Sequence, residues 1–349
     1  MKSHSDPTQL VLRNQTRFEG RKLLVVDPPS IGAVFQMARS LEIRQILTRD
    51  YGLYMALGQT ESSPSGRSFS LLVNDNAEYD TALVFVPKGR ELLRLTLASI
   101  ASQARPGTEV YVVGGNRTGI KGAPNLMKEQ FGAVRKIDTA RHCQMLGSVM
   151  GSKESPAVLV DEWTRTYRTE GVRPGLTIVS LPGVFSHGAP DDGSDLLMAH
   201  WQPQAPRRIL DVGCGSGVLG ATLAAMYPQA SVVMIDNHAA ALESARRTVA
   251  ANDIRNVEIL PSDLFGQVSG RFDLIVSNPP FHSGHESDHV TPYQMIEQAA
   301  AHLEPGGSLQ IVSNTFLPYA EALRKVFSEV LTLHMGRRYR VYLARGPHS

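Results

Sequence analysis

The chain has 349 residues, too many for one ordinary domain and a fitting number for two, and its 42% hydrophobic and 19% charged residues suit a soluble globular protein with a sizeable core. It contains no run of about 18 apolar residues such as a membrane-spanning helix needs, and its opening MKSHSDPTQLVLRNQ lacks the apolar stretch of a signal peptide, so a cytoplasmic setting away from membranes is expected. The only two cysteines, Cys143 and Cys214, are far apart, which suggests neither a disulfide framework nor a metal-ligand cluster, and the formal net charge is only +2.

Read from the N-terminus, the first apolar segments are RKLLVVDPPS (21–30), YDTALVFVPKGR (79–90) and RPGTEVYVVGGN (105–116). Residues 117–141 then gather Arg117, Lys121, Lys128, Arg135, Lys136 and Arg141 against only Glu129 and Asp138. Such a cluster attracts phosphate backbones through sequence-independent electrostatics, and it also fits an ordinary solvated basic face. It belongs to a wider asymmetry. Residues 1–165 carry 21 Lys plus Arg against 16 Asp plus Glu, whereas the remainder carries 14 against 17. In residues 148–166, around GSKESP, glycine, serine and charge replace apolar periodicity, which reads as a linker between a domain over 1–160 and another over 167–349.

Beyond the linker, LPGVFS (181–186) is followed by Asp191-Asp-Gly-Ser194, which can cap the helix DLLMAH (195–200). Short apolar runs then alternate with helical stretches. Strands are predicted over 207–212, 231–236, 257–262, 272–278, 307–314 and 338–345, with another from Phe327 to Leu333. VLGATLAAMY (218–227), AAALESARRTVAAN (239–252) and YQMIEQAAAHL (293–303) read as helices. This alternation predicts an open, mostly parallel α/β sheet with an antiparallel edge.

The two halves share one grammar. RKLLVVDPPS matches RRILDVGCGS (207–216), YDTALVFVPKGR matches FDLIVSNPPFHS (272–283), and RPGTEVYVVGGN matches EPGGSLQIVSN (304–314), in the same order. A repeat of this length implies a duplicated domain rather than a solenoid. The chemistry-bearing positions of the second copy are missing from the first: Asp211 becomes Val25, Gly213 becomes Asp27, Gly215 becomes Pro29 and Asn278 becomes Phe85.

In the second copy, Ile209-Leu-Asp-Val-Gly-Cys-Gly-Ser-Gly217 ends a strand and opens a helix, and Gly213, Gly215 and Gly217 permit a tight turn and close backbone approach to a ligand. Dinucleotide enzymes also use such turns, but the spacing here is G-x-G-x-G, not G-x-G-x-x-G. Asp211 precedes the glycines, where its charge would repel a pyrophosphate and suit the cationic, amine-bearing end of S-adenosylmethionine. Asp236, 25 residues later, ends the second strand where a carboxylate can accept both ribose hydroxyls; the alternative is a helix N-cap. Asp263, after the third strand, can meet an adenine edge or simply occupy a turn. Leu181-Pro-Gly-Val-Phe185 can pack against a cofactor or be a plain loop.

Asn278-Pro279-Pro280-Phe281 ends the fourth strand, at the carboxyl edge where open α/β sheets bind ligands. The Asn278 amide oxygen and the Pro279 carbonyl can accept two hydrogen bonds from a planar –NH2 group and turn its lone pair out of the ring plane. Phe281 can stack on the base. Taken alone, NPP also makes a strand-terminating turn.

Together, DVGCGSGVLG, Asp236 and SNPPFH resemble class I methyltransferases acting on exocyclic amino groups. With LPGVFS, NTFLPY (314–319), and VVGGNRTGIKGA and KIDTARHC in the silent copy, nearly the whole chain resembles the ribosomal RNA small subunit methyltransferase C family. The resemblance implies two tandem Rossmann-like class I methyltransferase domains, the N-terminal one degenerate and serving RNA binding or support. It implies S-adenosyl-L-methionine as cofactor, small-subunit ribosomal RNA or the 30S subunit as partner, and N2 of a specific guanine in 16S rRNA as the target; a monomer is expected. It carries catalytic roles to Asn278, Pro279 and Phe281 and cofactor roles to Asp211, Gly213, Gly215, Gly217, Asp236 and Asp263. The same NPPF signal occurs in enzymes acting on large-subunit RNA guanine, adenine N6 or a protein glutamine. A nicotinamide-dependent oxidoreductase is disfavoured by the glycine spacing, and a non-catalytic RNA-binding protein by the intact Asn278.

Overall fold

The three apolar segments of the N-terminal half become β1 (Lys22–Val26), β4 (Thr81–Phe85) and β5 (Glu109–Gly115), and four strands that were not predicted join them: β2 (Glu42–Thr48), β3 (Gly66–Phe69), β6 (Arg135–Ala140) and β7 (Cys143–Val149). They form one sheet in the order β3-β2-β1-β4-β5-β7-β6. The first five are parallel, and β7 runs antiparallel to both neighbours. This computed structural model describes residues 6–60, 66–73, 78–152, 155–170, 175–202, 205–279 and 292–348. Helices α1 (Pro7–Arg13), α2 (Ile31–Ala38), α3 (Tyr51–Gly58), α4 (Arg90–Gln103) and α5 (Ala123–Phe131) complete this half.

A short antiparallel pair, β8 (Arg165–Arg168) and β9 (Thr177–Ser180), opens the second half. It is followed by α6 (Asp192–Ala199), β10 (Arg208–Val212), α7 (Val218–Met226), β11 (Ser231–Asp236), α8 (Ala239–Ala251), β12 (Val257–Pro261), β13 (Phe272–Ser277), α9 (Pro292–Ala301), β14 (Leu303–Asn314), α10 (Tyr319–Val326), β15 (Phe327–Met335) and β16 (Tyr339–Pro347). The sheet order is β12-β11-β10-β13-β14-β16-β15, the same permutation as in the first half, with the expected antiparallel edge at β14, β16 and β15. Neither α10 nor the β8–β9 pair is among the predicted elements. The chain divides into units of Met1–Trp163 and Thr164–Ser349. The expected linker stretch thus begins inside β7 and ends inside β8, with a 3-10 turn at Val160–Trp163.

The central strands are buried on both faces, which is why residues 23–26 of β1 and 82–85 of β4 read as continuous apolar runs; in β10 the buried Asp211 interrupts the pattern. In the second unit Ile209 joins a core with α6 and α7, whereas Leu210 and Val212 join another with α9 and α10. The first unit is built likewise: Leu24 and Val26 face α4 and α5, and Leu23 and Val25 face α1 and α2. Duplication is written in the strand register. Val25 pairs with Leu83 and Leu83 with Tyr111, while Asp211 pairs with Val276 and Val276 with Gln310. These are the positions that the three sequence matches equate. Among the described residues, no helix is long and apolar enough to cross a membrane.

One polar stripe is structural. Ser244 and Thr248 on α8 and Asn252 at its C-cap recur every four residues, yet they face protein: Leu181 N–H donates to Ser244 Oγ (3.0 Å), Val179 N–H to Thr248 Oγ1 (3.0 Å) and Thr177 N–H to Asn252 Oδ1 (2.8 Å). These side chains satisfy the backbone of β9, as a neighbouring strand would. They also fix the start of the LPGVF loop.

Candidate active site

Gly213, Gly215 and Gly217 follow β10 with φ of 70°, 56° and 82°, the left-handed region that favours glycine. The turn is laced to β11. Gly213 and Cys214 N–H groups both donate to the Ile235 carbonyl at 2.9 Å, and Gly215 N–H donates to Asp236 Oδ2 at 2.9 Å. A Cβ on Gly217 would lie 3.3 Å from Ala245 Cα, so a side chain there would press on α8. Val184 stands 4.0 Å from where a Cβ of Gly215 would project, which brings the LPGVF loop beside the turn.

Asp211 is buried beneath this turn. Its Oδ2 accepts the Gly220 N–H at 2.8 Å, while Oδ1 is buried with no partner among the described residues. Burial, with the nearby charge of Asp236, pushes its pKa up to about 7, opposed by the Gly220 hydrogen bond. Gly220 was not singled out from sequence. It sits within α7, where a Cβ would meet Met234 Cε at 2.6 Å and Asp211 Oδ2 at 3.0 Å; its bareness lets its N–H reach the carboxylate.

Asp236 ends β11 and accepts N–H groups from Gly215 and His238, each at 2.9 Å. Burial raises its pKa, and the backbone donors pull it back. The N-cap of α8 is His238, whose Nδ1 accepts the Ala240 N–H at 3.3 Å, so Asp236 does not cap that helix. Asp263 lies one strand over, because Pro261 pairs with Asp236; its side chain is exposed in a turn closed by Gly266 N–H donating to the Asp263 carbonyl at 3.1 Å.

Asn278 and the buried Pro279 leave β13 at the same carboxyl edge. The Asn278 amide nitrogen donates to Asp191 Oδ2 and to Ser194 Oγ, the latter at 3.0 Å. Its Oδ1 is buried and has no partner among the described residues. Phe281, expected to stack on the target, lies outside the described residues. The structure therefore brings Asp211, the three glycines, Asp236, Asp263, Asn278 and Pro279 to one sheet edge. Sequence reasoning recognised Asp191 only as a cap of α6 and missed its bond to Asn278, 87 positions away.

At the equivalent place the first unit keeps the backbone path and changes the side chains. Asp27 N–H donates to the Leu47 carbonyl at 2.8 Å, just as Gly213 does to Ile235, so the backbone path is retained. Pro28 and Pro29, however, have no N–H to match those of Cys214 and Gly215. The Asp27 carboxylate instead pairs with Arg49, which is only 2% exposed. The guanidinium also donates to the Leu71 carbonyl (2.9 Å) and Thr96 Oγ1 (2.9 Å). An internal ion pair thus stands where the second unit has its glycine turn.

Arg117, Lys121, Lys128, Arg135, Lys136 and Arg141 are all exposed on the first unit. The two acids among them are engaged elsewhere: Glu129 with Arg94 at 3.2 Å, and Asp138 with Asn14 at 2.9 Å and Arg13 at 3.3 Å. The six do not form one tight cluster. Arg117 and Arg141 flank the Asn116 N–H to His142 carbonyl bond (2.7 Å) at one end of β6, whereas Arg135 and Lys136 open the strand about 17 Å away by strand rise.

Comparison with known proteins follows this plan. Residues 8–167 match the family described as methyltransferase small domain N-terminal, and residues 175–343 match methyltransferase small domain. A ribosomal RNA small subunit methyltransferase C of Salmonella choleraesuis (strain SC-B67) is 33% identical over 344 residues, 98% of this chain and 97% of its own length. The chain belongs to the ribosomal RNA small subunit methyltransferase C family. A member from Pasteurella multocida (strain Pm70) is 37% identical over 284 residues, 81% of this chain and 84% of that one. In fold, the family member resembles a T. thermophilus 16S rRNA N2 G1207 methyltransferase solved with AdoMet and guanosine, with TM-score 0.83 and 24% identity over 99% of this chain and 93% of the other. Two tandem Rossmann-like methyltransferase domains, the first degenerate, are the architecture of this methyltransferase.

Proposed function

We propose that this family member transfers a methyl group from S-adenosylmethionine to the exocyclic N2 of a guanine in small-subunit ribosomal RNA. The observation that carries the reading is the Asn278 amide: its nitrogen is fully engaged while its buried Oδ1 has no partner among the described residues. A buried acceptor without a donor is costly, and an incoming amino group removes that cost. Asn278 Oδ1 and the Pro279 carbonyl each accept one N–H of the target amine, which localises the nitrogen lone pair outside the ring plane. No strong base is required, because the amine proton becomes acidic as its nitrogen gains a bond. Positioning and preorganised dipoles supply the rate.

S-Adenosylmethionine, when bound, supplies an electrophilic methyl group on a sulfonium. The residues present fit it. The unpartnered Asp211 Oδ1 suits a cationic amine, the left-handed glycine turn leaves room for close backbone approach, Asp236 retains lone pairs for ribose hydroxyls, and the exposed Asp263 suits an adenine amino group. The first unit, with the Asp27–Arg49 pair where the second has its glycine turn, holds RNA or braces the catalytic unit, and its exposed cations favour RNA over a protein substrate.

The test is radiolabelled methyl transfer to 30S subunits and to free ribosomal RNA, followed by nucleoside analysis. N2-methylguanosine in 16S rRNA is the expected product. Asn278→Ala should keep cofactor affinity and lose about 100- to 1000-fold in turnover. Detection of N6-methyladenosine, or of methylated protein with unmodified RNA, would overturn the substrate, and normal turnover by Asn278→Ala would overturn the mechanism.

A further inference from the structure

A side-chain amide has two orientations related by a half-turn, and they present opposite chemistry. One offers an oxygen that accepts, the other a nitrogen that donates. In guanine both partners are available, because the base carries an amino group at N2 and a carbonyl oxygen at O6. A site meant to hold the amino group must therefore hold the amide oxygen outward.

The surroundings of Asn278 do this with two residues from a distant segment. Asp191 is 9% exposed and Ser194 is 6% exposed. Asp191 Oδ2 accepts both the Ser194 N–H, at 2.7 Å, and an N–H of the Asn278 amide. Ser194 Oγ accepts the second amide hydrogen at 3.0 Å. Turning the amide over would set its oxygen against the Asp191 carboxylate oxygen, acceptor against acceptor. Gly193 lies between the two, and a Cβ there would stand 3.2 Å from Asn278 Nδ2 and 3.3 Å from Oδ1, so any side chain would press on the amide.

We infer that Asp191 and Ser194 are positioning residues that lock the Asn278 amide with Oδ1 free, so that the site takes an amino edge and rejects a keto edge. The inference rests on the reading of Asn278 as the acceptor of the target amine. Asp191 also caps α6, so the test must separate the two roles. Asp191→Ser keeps a good capping group but is too short to reach Asn278, whereas Asp191→Asn keeps an oxygen at the same reach.

Three measurements on the full-length protein provide the test: cofactor affinity and thermal midpoint, the split of kcat and KM for methyl transfer, and the Asn278 side-chain amide resonance. That resonance is assigned by its absence in Asn278→Ala. Asp191→Ser should leave cofactor affinity and the thermal midpoint near wild type and lower kcat about 10- to 100-fold, the scale of a misplaced reacting group. Ser194→Ala added to it should deepen the loss, and Asp191→Asn should recover most of the rate that Asp191→Ser loses. In the substrate-free protein the amide resonance should lie downfield and exchange slowly, and Asp191→Ser should abolish both properties. An unchanged resonance and unchanged kcat in Asp191→Ser would overturn the inference, as would losses in rate that simply follow the thermal midpoint. The resonance separates this inference from the assignment of substrate. If it responds as expected while the wild-type protein forms no N2-methylguanosine, the lock stands and the substrate falls.

Discussion

Lowering the pH from about 8 to about 6 should weaken S-adenosylmethionine binding roughly tenfold, with Asp211 as the cause. Its carboxyl is desolvated, faces the negative charge of Asp236, and receives one N–H, from Gly220, so its pKa rises to about 7. The ordinary aspartate value is about 4, so between about pH 4 and 7 the folded, cofactor-free chain holds a proton that the unfolded chain has released. Stability therefore falls as pH rises through that window, by up to about 1.4 kcal/mol per pH unit. Asp236, raised by burial as well, contributes in the same direction. A cationic amine against the unpartnered Oδ1 reverses the preference: the ionised form becomes favoured, the pKa drops and binding expels a proton. Affinity is then highest above pH 7 and falls by up to about tenfold per unit below it. Calorimetry at about pH 6 in buffers of different ionisation enthalpy should show close to one proton released, and the dependence should vanish by about pH 8.5. Asp211→Asn, which cannot ionise, should bind weakly at every pH. Buffer-independent heats in the wild type at about pH 6, or wild-type affinity in Asp211→Asn, would refute the reasoning.

Two further predictions concern the first unit. Arg49→Met leaves the Asp27 carboxylate, the Leu71 carbonyl and Thr96 without their cation, and should cost that unit about 3–5 kcal/mol in chemical denaturation. One cofactor per chain should still bind with unaltered affinity, and a variant as stable as wild type would show that the pair does not hold the unit together. Reversing the charge at Lys121, Lys128 and Lys136 should weaken RNA binding and flatten its salt dependence, by about 0.7–0.9 in the log–log slope for each phosphate left without its cation. An unaltered slope would make these lysines an ordinary solvated face.

Much of the architecture was legible along the chain because it depends on local preference and on partition from water. Strands buried on both faces read as continuous apolar runs, as residues 23–26 of β1 and 82–85 of β4 do, and an extended turn with three left-handed residues needs glycine, as at Gly213, Gly215 and Gly217. The duplication was legible for the same reason, since equivalent strands must repeat the same apolar pattern at the same spacing. In the second unit, β8, β9 and α10 were not. The first two are four residues each, and β9 is held by the side chains of a helix; the last is a two-turn helix after a proline.

The tertiary structure decided whatever rests on a side chain meeting a distant partner. Periodicity shows which face of a segment is buried but not which atoms it is buried against. Asn278 and Asp191 are 87 positions apart, so nothing local reveals that an apparent helix cap also sets the orientation of an amide. The Ser244, Thr248 and Asn252 stripe has the spacing of a solvated helix face, yet it serves the backbone of β9. Sequence showed that Asp27 replaces a glycine. Only the fold shows that Arg49 answers it, because β1 and β2 are neighbours in the sheet and the guanidinium also reaches Leu71 and Thr96.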